Sequence, residues 1–338
     1  MYQNVGTPRF YVNAVEWAAS NGIPIQGSEL YPETNIVLNT LPVNPIDCNG
    51  FGLWGLQGMN EQSFVAVLGH NIATIQAQFR LITLKPDPSG FGATDSHIGY
   101  GDGDKLSSLV NCTIMNNIEI FPEFNGFTIA TFVAPTNNLA FWLSDFCKIG
   151  SVVIGTYYDM PHSPDLKLSM EREMDGVKRL RTKGGNDLVD HTYTKSPPWG
   201  SAGAWELHGT TVSAQKLSRV GRRVWNLSFS QMQDSNVFPE VSSLITNEAH
   251  THGLHGDNDY YWSYPMDYGL LRGNGLGNEN FYAEVIHKTN GGQLPFIFQP
   301  DTNDVTNFAI CKFDQSSFKF SQVANGVYNY KMKIREVW

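Results

Sequence analysis

The clearest alternation of apolar and polar residues lies near the end of the sequence. Residues 318–320 (Phe-Lys-Phe) and 328–335 both change between apolar and polar at nearly every position, which is the period of a strand with one buried face. Residues 324–326 (Ala-Asn-Gly) lie between them and are typical of a tight turn. The pattern predicts a terminal β-hairpin whose second strand runs to Trp338.

The register of this hairpin follows from which side chains would share a face. A two-residue turn would place lysines opposite Phe318 and Phe320, whereas a three-residue loop ending in Gly326 pairs Phe320 with Tyr330 and Phe318 with Met332. We predict the second register, with Gly326 in the left-handed region. The hairpin carries no catalytic pattern and is interpreted as a scaffold or interface element.

Short apolar runs separated by Gly, Pro and Asn predict further strands. The segment 223–230 alternates so that Trp225, Leu227 and Phe229 share one face. The other clear runs are residues 36–38, 64–68, 77–82, 127–132 and 152–154. Long amphipathic helices between these runs are absent from the pattern, which favours a sandwich or jelly roll over a parallel α/β sheet.

Three segments predict short helices. Residues 9–20 place apolar side chains on one face, and Asn21-Gly22 supplies a stop. Residues 281–288 follow Asn280 as a cap and end at the Gly-rich segment 289–292. Residues 237–249 are expected to be partly helical.

Composition places the chain among turn-rich, mainly β proteins. It has 338 residues, 32 glycines, 12% aromatic residues and only 16% charged residues. We expect an N-terminal arm with a short helix (residues 1–30), a jelly-roll sandwich (31–160) and a second β sandwich or barrel with one or two short helices (161–338). The junction is placed at the Pro-containing segment 159–164.

Charge, leader and cysteine patterns narrow the functional classes. The net charge of −9 argues against a general nucleic-acid binder, and no specific nucleic acid is expected as a partner. The first residues form no basic-then-apolar leader, and no apolar run is long enough to cross a bilayer, so membrane insertion is not expected. Four cysteines without CxxC spacing predict free, mostly buried thiols in a protein made in a reducing cytoplasm.

The stretch 64–72 (Phe-Val-Ala-Val-Leu-Gly-His-Asn-Ile), with the strand 79–81 after it, resembles the corresponding stretch of galactose-binding-like jelly rolls in bacteriophage structural proteins. The opening residues 8–13 are also similar to the N-termini of phage tail proteins. The resemblance covers about the first half of the chain. Gly69 permits a turn, and His70 and Asn71 are expected to hydrogen-bond the loop; sugar or metal binding by His70 is the alternative.

A second resemblance lies in the stretch 288–301 (Lys-Thr-Asn-Gly-Gly-Gln-Leu-Pro-Phe-Ile-Phe-Gln-Pro-Asp). Together with the antiparallel strands after it, this stretch resembles the second half of phage distal-tail and tail-tube-related proteins. The match covers about the last third of the chain. The family's role of building oligomeric rings in a virion tail is what the resemblance implies.

The densest cluster of candidate ligands is His250, His252 and His255, with Asp257 and Asp259 beside them. An H-x-H pair on an extended strand can suit zinc, iron or nickel. Two glycines and the lack of a second ligand pair favour a polar loop, so no metal and no cofactor are assigned. Protonation near pH 6 could instead change the charge of this loop.

Other polar or aromatic loops carry weaker patterns. Asp95, Asp102 and Asp104 lie in the Gly/Asp segment 89–105, where calcium binding competes with ordinary Asp-Gly turns. Residues 260–264 (Tyr-Tyr-Trp-Ser-Tyr) could stack on a sugar, fill a subunit groove or pack in the core. HExxH, GxSxG and GxxxxGK motifs are absent, and residues 273–277 are interpreted as a surface turn.

Basic residues concentrate in the second half of this acidic chain. They are Lys178, Arg179, Arg181, Lys183, Arg219, Arg222 and Arg223. This local bias predicts either contact with an acidic partner surface, including another copy of the same protein in a ring, or a solvated loop.

The sequence therefore predicts a non-enzymatic structural component of a virion tail, at the tail tip, baseplate or fibre junction. Its expected partners are itself in a symmetric ring, other tail proteins (tube, hub or fibre) and a host surface glycan. No catalytic residue is assigned. The alternatives are a carbohydrate-binding receptor module that uses residues 260–264 or 89–105, and a polysaccharide-degrading tail enzyme, because sequence does not show the separation of its carboxylates.

Overall fold

The computed structural model shows a mainly β protein in which every described strand pairing is antiparallel. The structure describes residues 5–20, 46–54, 62–70, 79–84, 96–99, 112–115, 126–132, 138–149, 151–166, 168–173, 177–191, 206–207, 222–238, 280–304 and 307–337. The mainly β class predicted from composition is confirmed.

The described elements are numbered in chain order. The first nine strands and the first helix are β1 (Arg9–Asn13), α1 (Ala14–Ser20), β2 (Ile46–Trp54), β3 (Ser63–His70), β4 (Phe79–Leu84), β5 (Ser96–Gly99), β6 (Cys112–Met115), β7 (Gly126–Phe132), β8 (Asn138–Ile149) and β9 (Ser151–Asp159). The remaining elements are β10 (Ser169–Glu173), β11 (Val177–Arg181), β12 (Asp187–His191), β13 (Glu206–Leu207), β14 (Arg222–Gln233), α2 (Asp234–Val237), a π-helix (Tyr282–His287), β15 (Phe296–Gln299), β16 (Phe308–Phe313), β17 (Phe320–Ala324) and β18 (Val327–Glu336).

These strands form three sheets. The main sheet has the order β10-β14-β18-β16-β15-β1-β9-β3-β7-β6, with β13 paired to β16 and β17 paired to β18. A four-stranded sheet has the order β2-β8-β4-β5, and β11 and β12 form a two-stranded hairpin. The main sheet contains strands from all three predicted segments, so its hydrogen bonding continues past the junction expected near residue 160.

The centre of the main sheet is β1, which pairs with β9 on one side and with β15 on the other. The prediction of a helix over residues 9–20 was therefore wrong for its first part, because only Ala14–Ser20 is helical. Phe10 and Val12 are buried on one face and Tyr11 on the other. Burial on both faces and two strand partners outweigh the weak helical periodicity of this segment.

The helix begins where Asn13 leaves the strand. The Asn13 Oδ1 accepts a hydrogen bond from the Glu16 N–H at 3.1 Å, and the Asn13 amide donates to the Glu16 carboxylate at 3.3 Å. This pairing of residues N-cap and N3 fixes the start of α1 and satisfies one of its unpaired N–H groups.

The sheet requires a glycine where β1 and β9 approach each other. Gly155 lies opposite Asn13, and a Cβ there would collide with the Val12 carbonyl oxygen and lie 2.7 Å from the Ala14 nitrogen. Because both neighbours are backbone atoms, they cannot rotate away.

We expect Gly155→Ala to lower the free energy of unfolding by about 2–3 kcal/mol, since it forces β1 away from β9. Denaturant titration would measure the change. Gly184→Ala is the matched control, because the nearest atom to its added Cβ lies 4.0 Å away, and we expect it to stay within about 0.5 kcal/mol of the parent. Equal losses in the two variants would contradict the close-packing argument.

Two hydrophobic clusters pack on the main sheet. The larger one is rich in aromatic side chains; among its members are Phe10, Phe281, Phe296, Phe298, Phe313 and Tyr330. The second contains Tyr11, Phe64, Ile297 and Phe308. Since β1 and β15 supply residues to both clusters, the N-terminal strand joins the cores on either face.

The strands predicted in both halves of the chain are largely confirmed. Phe64, Ala66 and Leu68 alternate as buried residues of β3, and Trp225, Leu227 and Phe229 are buried along β14. The runs 77–82, 127–132 and 152–154 fall on β4, β7 and β9, with their ends shifted in β4 and β9. The run 36–38 lies outside the described residues.

The terminal hairpin has the predicted register at its centre. Phe320 lies opposite Tyr330 and their rings stack at 4.6 Å, while Gly326 is left-handed with φ 68°. The turn spans two residues, and an irregularity between Gln322 and Ala324 gives the pairing expected for a longer loop.

The predicted pair Phe318–Met332 was wrong, since the described β17–β18 pairs begin at Phe320. Beyond Tyr330, β18 changes partner from β17 to β16. The Lys333 backbone bonds the Asp314 N–H and the Gln315 side chain at 2.8 Å each. Phe318 instead packs its ring against Phe313 at 5.2 Å.

The helix predicted over residues 281–288 is confirmed in place and capping, but it is wound as a π-helix. The Asn280 Oδ1 accepts the Ala283 N–H at 2.8 Å, as expected of a cap. The helix ends at His287, and the turn after it contains three left-handed residues, Asn290, Gly291 and Gly292. The helical segment expected at 237–249 is described only to residue 238, where α2 has already ended.

Candidate interaction surface

The hairpin β11–β12 is the most exposed described part of the chain. Its strands are joined by a five-residue loop in which Thr182 is the anchor. The Thr182 N–H donates to the Asn186 carbonyl at 2.8 Å, and the Thr182 Oγ1 accepts the Asn186 N–H at 3.1 Å. Gly185 is left-handed with φ 85°, which a side chain would disfavour.

Apolar side chains of this hairpin face solvent. Leu180 lies opposite Leu188, and the two are 66% and 57% exposed; Val189 on the other face is 41% exposed. A two-stranded ribbon gains little stability when neither face is covered. No described residue covers these leucines, so the hairpin presents a small unpartnered apolar surface.

Positive charge surrounds the apolar pair. Lys178, Arg179, Arg181 and Lys183 are all exposed on the hairpin or its loop. With Asp187 and Asp190, residues 177–191 carry a net charge of +2, which leaves −11 on the rest of the −9 chain. The Arg181–Asp187 pair is loose at 3.8 Å and exposed, so it neutralises little of this charge.

The basic stretch predicted from the sequence is divided by the structure. Lys178, Arg179, Arg181 and Lys183 are exposed, as a partner-facing or solvated segment requires. Arg223 is different, because it is buried and bonds both carboxylate oxygens of Glu336. The interpretation of Arg223 as part of a surface basic patch was therefore wrong. Arg219 lies outside the described residues.

The edge strand β10 lies just before the hairpin in sequence. It pairs with β14 on one side, and no described strand pairs with its other side. Met170 is exposed on this strand, and Glu173 bonds Arg335 across the sheet at 2.6 Å. An unpaired strand edge offers backbone donors and acceptors to a neighbouring chain.

Lys288 and Glu284 form a buried ion pair in the described core. The Lys288 Nζ lies 2.7 Å from the Glu284 Oε2 and 3.1 Å from the Thr156 Oγ1. All three residues are buried between the π-helix and β9. Solvent scarcely reaches these three residues, which are at most 3% exposed, and their contacts hold the helix against β9.

Burial raises the pKa values of the Tyr11 hydroxyl and the Cys311 thiol, which makes both groups poor nucleophiles. Burial raises the pKa of the Tyr11 hydroxyl to about 12, and this hydroxyl donates to the Gln299 Oε1 at 2.9 Å. Burial, with the Glu336 carboxylate beside it, raises the pKa of the Cys311 thiol well above its usual value. Cys311 is free and buried, as predicted for a structural thiol.

Several sequence-predicted candidates lie outside the described residues. These are His250, His252, His255, Asp95, Asp102, Asp104 and the aromatic segment 260–264. Gly69 and His70 belong to β3, where the register with β7 shifts between Leu68 and His70, so the predicted turn is a bulge inside the strand. Within the described ranges, no group of three His, Cys, Asp or Glu side chains could hold a metal ion.

A shallow cleft of about 460 Å³ lies between α2 and the turn of the terminal hairpin. Asp234 is the one carboxylate among its lining residues, which also include Phe238 and Asn325. A pair of facing carboxylates, as glycoside hydrolysis uses, is not present in this cleft.

No family model matches the sequence, and neither a curated protein nor a solved structure matches it. Over the residues that the structure describes, no helix has the length and apolar character needed to cross a membrane.

Proposed function

We propose that this chain is a structural component of a bacteriophage virion tail that assembles as a symmetric oligomer. Its place would be the tail tip, baseplate or fibre-attachment ring, and it would be made in the host cytoplasm. The resemblances of residues 64–72 and 288–301 support this proposal, and the mainly antiparallel architecture is compatible with it. A galactose-binding-like jelly roll followed by a tail-tube-like β domain is the finer architecture that we propose.

The observation that carries the proposal is the exposed hairpin β11–β12. In a single chain, Leu180 and Leu188 contribute little hydrophobic free energy to folding, since both side chains remain largely exposed to water. A neighbouring subunit that covers them would supply the missing layer of this two-stranded ribbon. The role is therefore mechanical, and the hairpin is the attachment point.

The charge distribution favours a second copy of the chain as the molecule that covers the hairpin. The hairpin segment carries +2 while the remainder carries −11, so an acidic surface of the next subunit would attract it. Contact between two different surfaces of identical chains is heterologous, and it closes into a ring when the rotation between subunits permits. Tube, hub or fibre proteins would then bind the faces of that ring.

We expect the pure full-length chain to self-associate at micromolar concentration, as measured by sedimentation or light scattering. Replacing both leucines (Leu180→Glu with Leu188→Glu) should weaken association at least about 30-fold. The reason is that burial of the two apolar side chains contributes about 2 kcal/mol or more to the free energy of association. Raising the salt concentration should also weaken it, because the charges involved are exposed.

Leu166→Glu is the matched control, since Leu166 is 100% exposed but lies outside the hairpin. This variant should associate like the parent protein. A monomer at every concentration would overturn the proposed assembly. Unchanged association in the double variant would overturn the role of the hairpin alone.

A further inference from the structure

The four-stranded sheet brings two cysteines to directly opposite positions. In the antiparallel pair β2–β8, Cys48 is set against Cys147, and the neighbouring position sets Asp47 against Lys148. Opposite charges at facing positions favour this register over its neighbours. In the described strand pairs the other two cysteines face other residues, since Cys112 lies opposite Ala130 on β7, and Cys311 of β16 lies opposite Phe296 and Glu336.

Facing residues of an antiparallel pair have Cα atoms about 4.5 or 5.5 Å apart, depending on the hydrogen-bonding of the pair. Both separations fall inside the range of about 4.4–6.8 Å that disulfides span. From this placement we propose that Cys48 and Cys147 form an intrachain disulfide once the protein meets an oxidising environment. The inference is independent of the proposed tail function, and it revises the expectation of free thiols for these two residues.

The oxidant is a low-molecular-weight disulfide such as glutathione disulfide. The thiolate of one cysteine attacks the oxidant, forms a mixed disulfide and releases one reduced glutathione, which takes up the proton. The thiolate of the second cysteine then attacks the mixed disulfide and releases the second glutathione. The protein loses two hydrogen atoms and gains one S–S bond, while one glutathione disulfide becomes two thiols.

The bond would tie the end strand β2 of this sheet to β8. It would close a loop on the order of 100 residues, which contains β3 to β7, and such a long loop restricts the unfolded chain strongly. The oxidised protein should therefore unfold at a temperature about 5 °C or more above the reduced protein.

The test uses the full-length chain incubated with glutathione disulfide, then denatured and alkylated without reduction. Mass spectrometry should find Cys112 and Cys311 alkylated, and one linked peptide pair containing Cys48 and Cys147. In Cys48→Ser, the linked peptide pair should be absent, and Cys147 should be found alkylated or as its mixed disulfide with glutathione. In Cys112→Ser, which serves as the matched control, the link should persist.

Four alkylated cysteines after oxidation would overturn the proposal, and so would a link that uses Cys112, Cys311 or a second chain. Thermal unfolding gives an independent readout. Reduction should lower the midpoint of the oxidised parent and leave the double variant Cys48→Ser/Cys147→Ser unchanged. An equal response of the two proteins would also overturn it.

Discussion

Replacing Glu336 by alanine is expected to lower the free energy of unfolding by about 3–5 kcal/mol, because it removes the carboxylate that is paired with the buried Arg223 guanidinium. Both side chains are almost completely buried, at 5% and 0% exposure. The Arg223 Nη2 and Nε bond the two carboxylate oxygens of Glu336 at 3.0 and 3.2 Å. Denaturant titration of the parent and the variant measures the loss.

The rest of the environment of Arg223 explains why the loss should be large. Its side chain also bonds the Asn307 Oδ1 and the Phe308 carbonyl, which are neutral acceptors. The guanidinium also lies over the Trp225 ring at 5.3 Å. None of these contacts replaces a carboxylate as counter-charge for a cation that water cannot reach.

Two further variants separate burial from pairing. Arg223→Met combined with Glu336→Leu removes both charges and should recover most of the stability, since apolar pairs of similar volume replace buried ion pairs well. Glu173→Ala breaks the partly exposed Arg335–Glu173 pair and should cost about 0–1 kcal/mol. A loss at Glu336 no larger than that at Glu173 would contradict the large contribution expected of the buried pair.

The terminal hairpin shows how far alternation determines structure. The pairing of Phe320 with Tyr330 was predictable, because a register shift of one residue would have placed lysine side chains on the face that packs in the aromatic cluster. The next pair was not predictable, since it depends on where β18 changes partner from β17 to β16. The local pattern thus predicts the strands and one register. Which strands pair with β18, and where the partner changes, depends on residues far away in the chain.

The N-terminal segment shows the opposite case. Phe10, Tyr11 and Val12 can lie on a helix or a strand when only the sequence is considered. They form a strand because β1 pairs with β9 on one side and with β15 on the other. These two strands lie about 140 and 290 residues further along the chain. The Asn13/Glu16 capping pair was the missed local signal, because it marks a helix start at residue 14 and not at residue 9.

The basic stretch was divided for a similar reason. Lys178 and Arg179 occur in the short hairpin β11–β12 and are exposed, as expected of a partner-facing or solvated segment. Arg223 occurs in an equally basic sequence, but it lies on β14, which has a partner strand on each side, and its side chain bonds a glutamate that follows it by 113 residues. Which basic residues form a surface is therefore decided by distant acidic partners, which spacing along the chain does not reveal.

The second large effect is expected at Lys288. Replacing it by methionine keeps the apolar part of the side chain but removes the cation that balances the buried Glu284 carboxylate, and the Thr156 hydroxyl that donates to this carboxylate at 3.2 Å is neutral. The loss should be about 3–5 kcal/mol, as for other broken buried pairs. Urea unfolding of the variant against the parent measures it.

The control for Lys288 tests whether charge, and not packing, explains the loss. Lys331→Met makes the same change at an exposed position of β18 and should stay within about 0.5 kcal/mol of the parent. Lys288→Met combined with Glu284→Leu removes the stranded carboxylate and should restore most of the stability. If the double variant is as unstable as Lys288→Met, the pair holds the π-helix through its hydrogen-bond geometry and not through charge balance. Recovery would instead mean that the ion pair orders this helix without adding net stability.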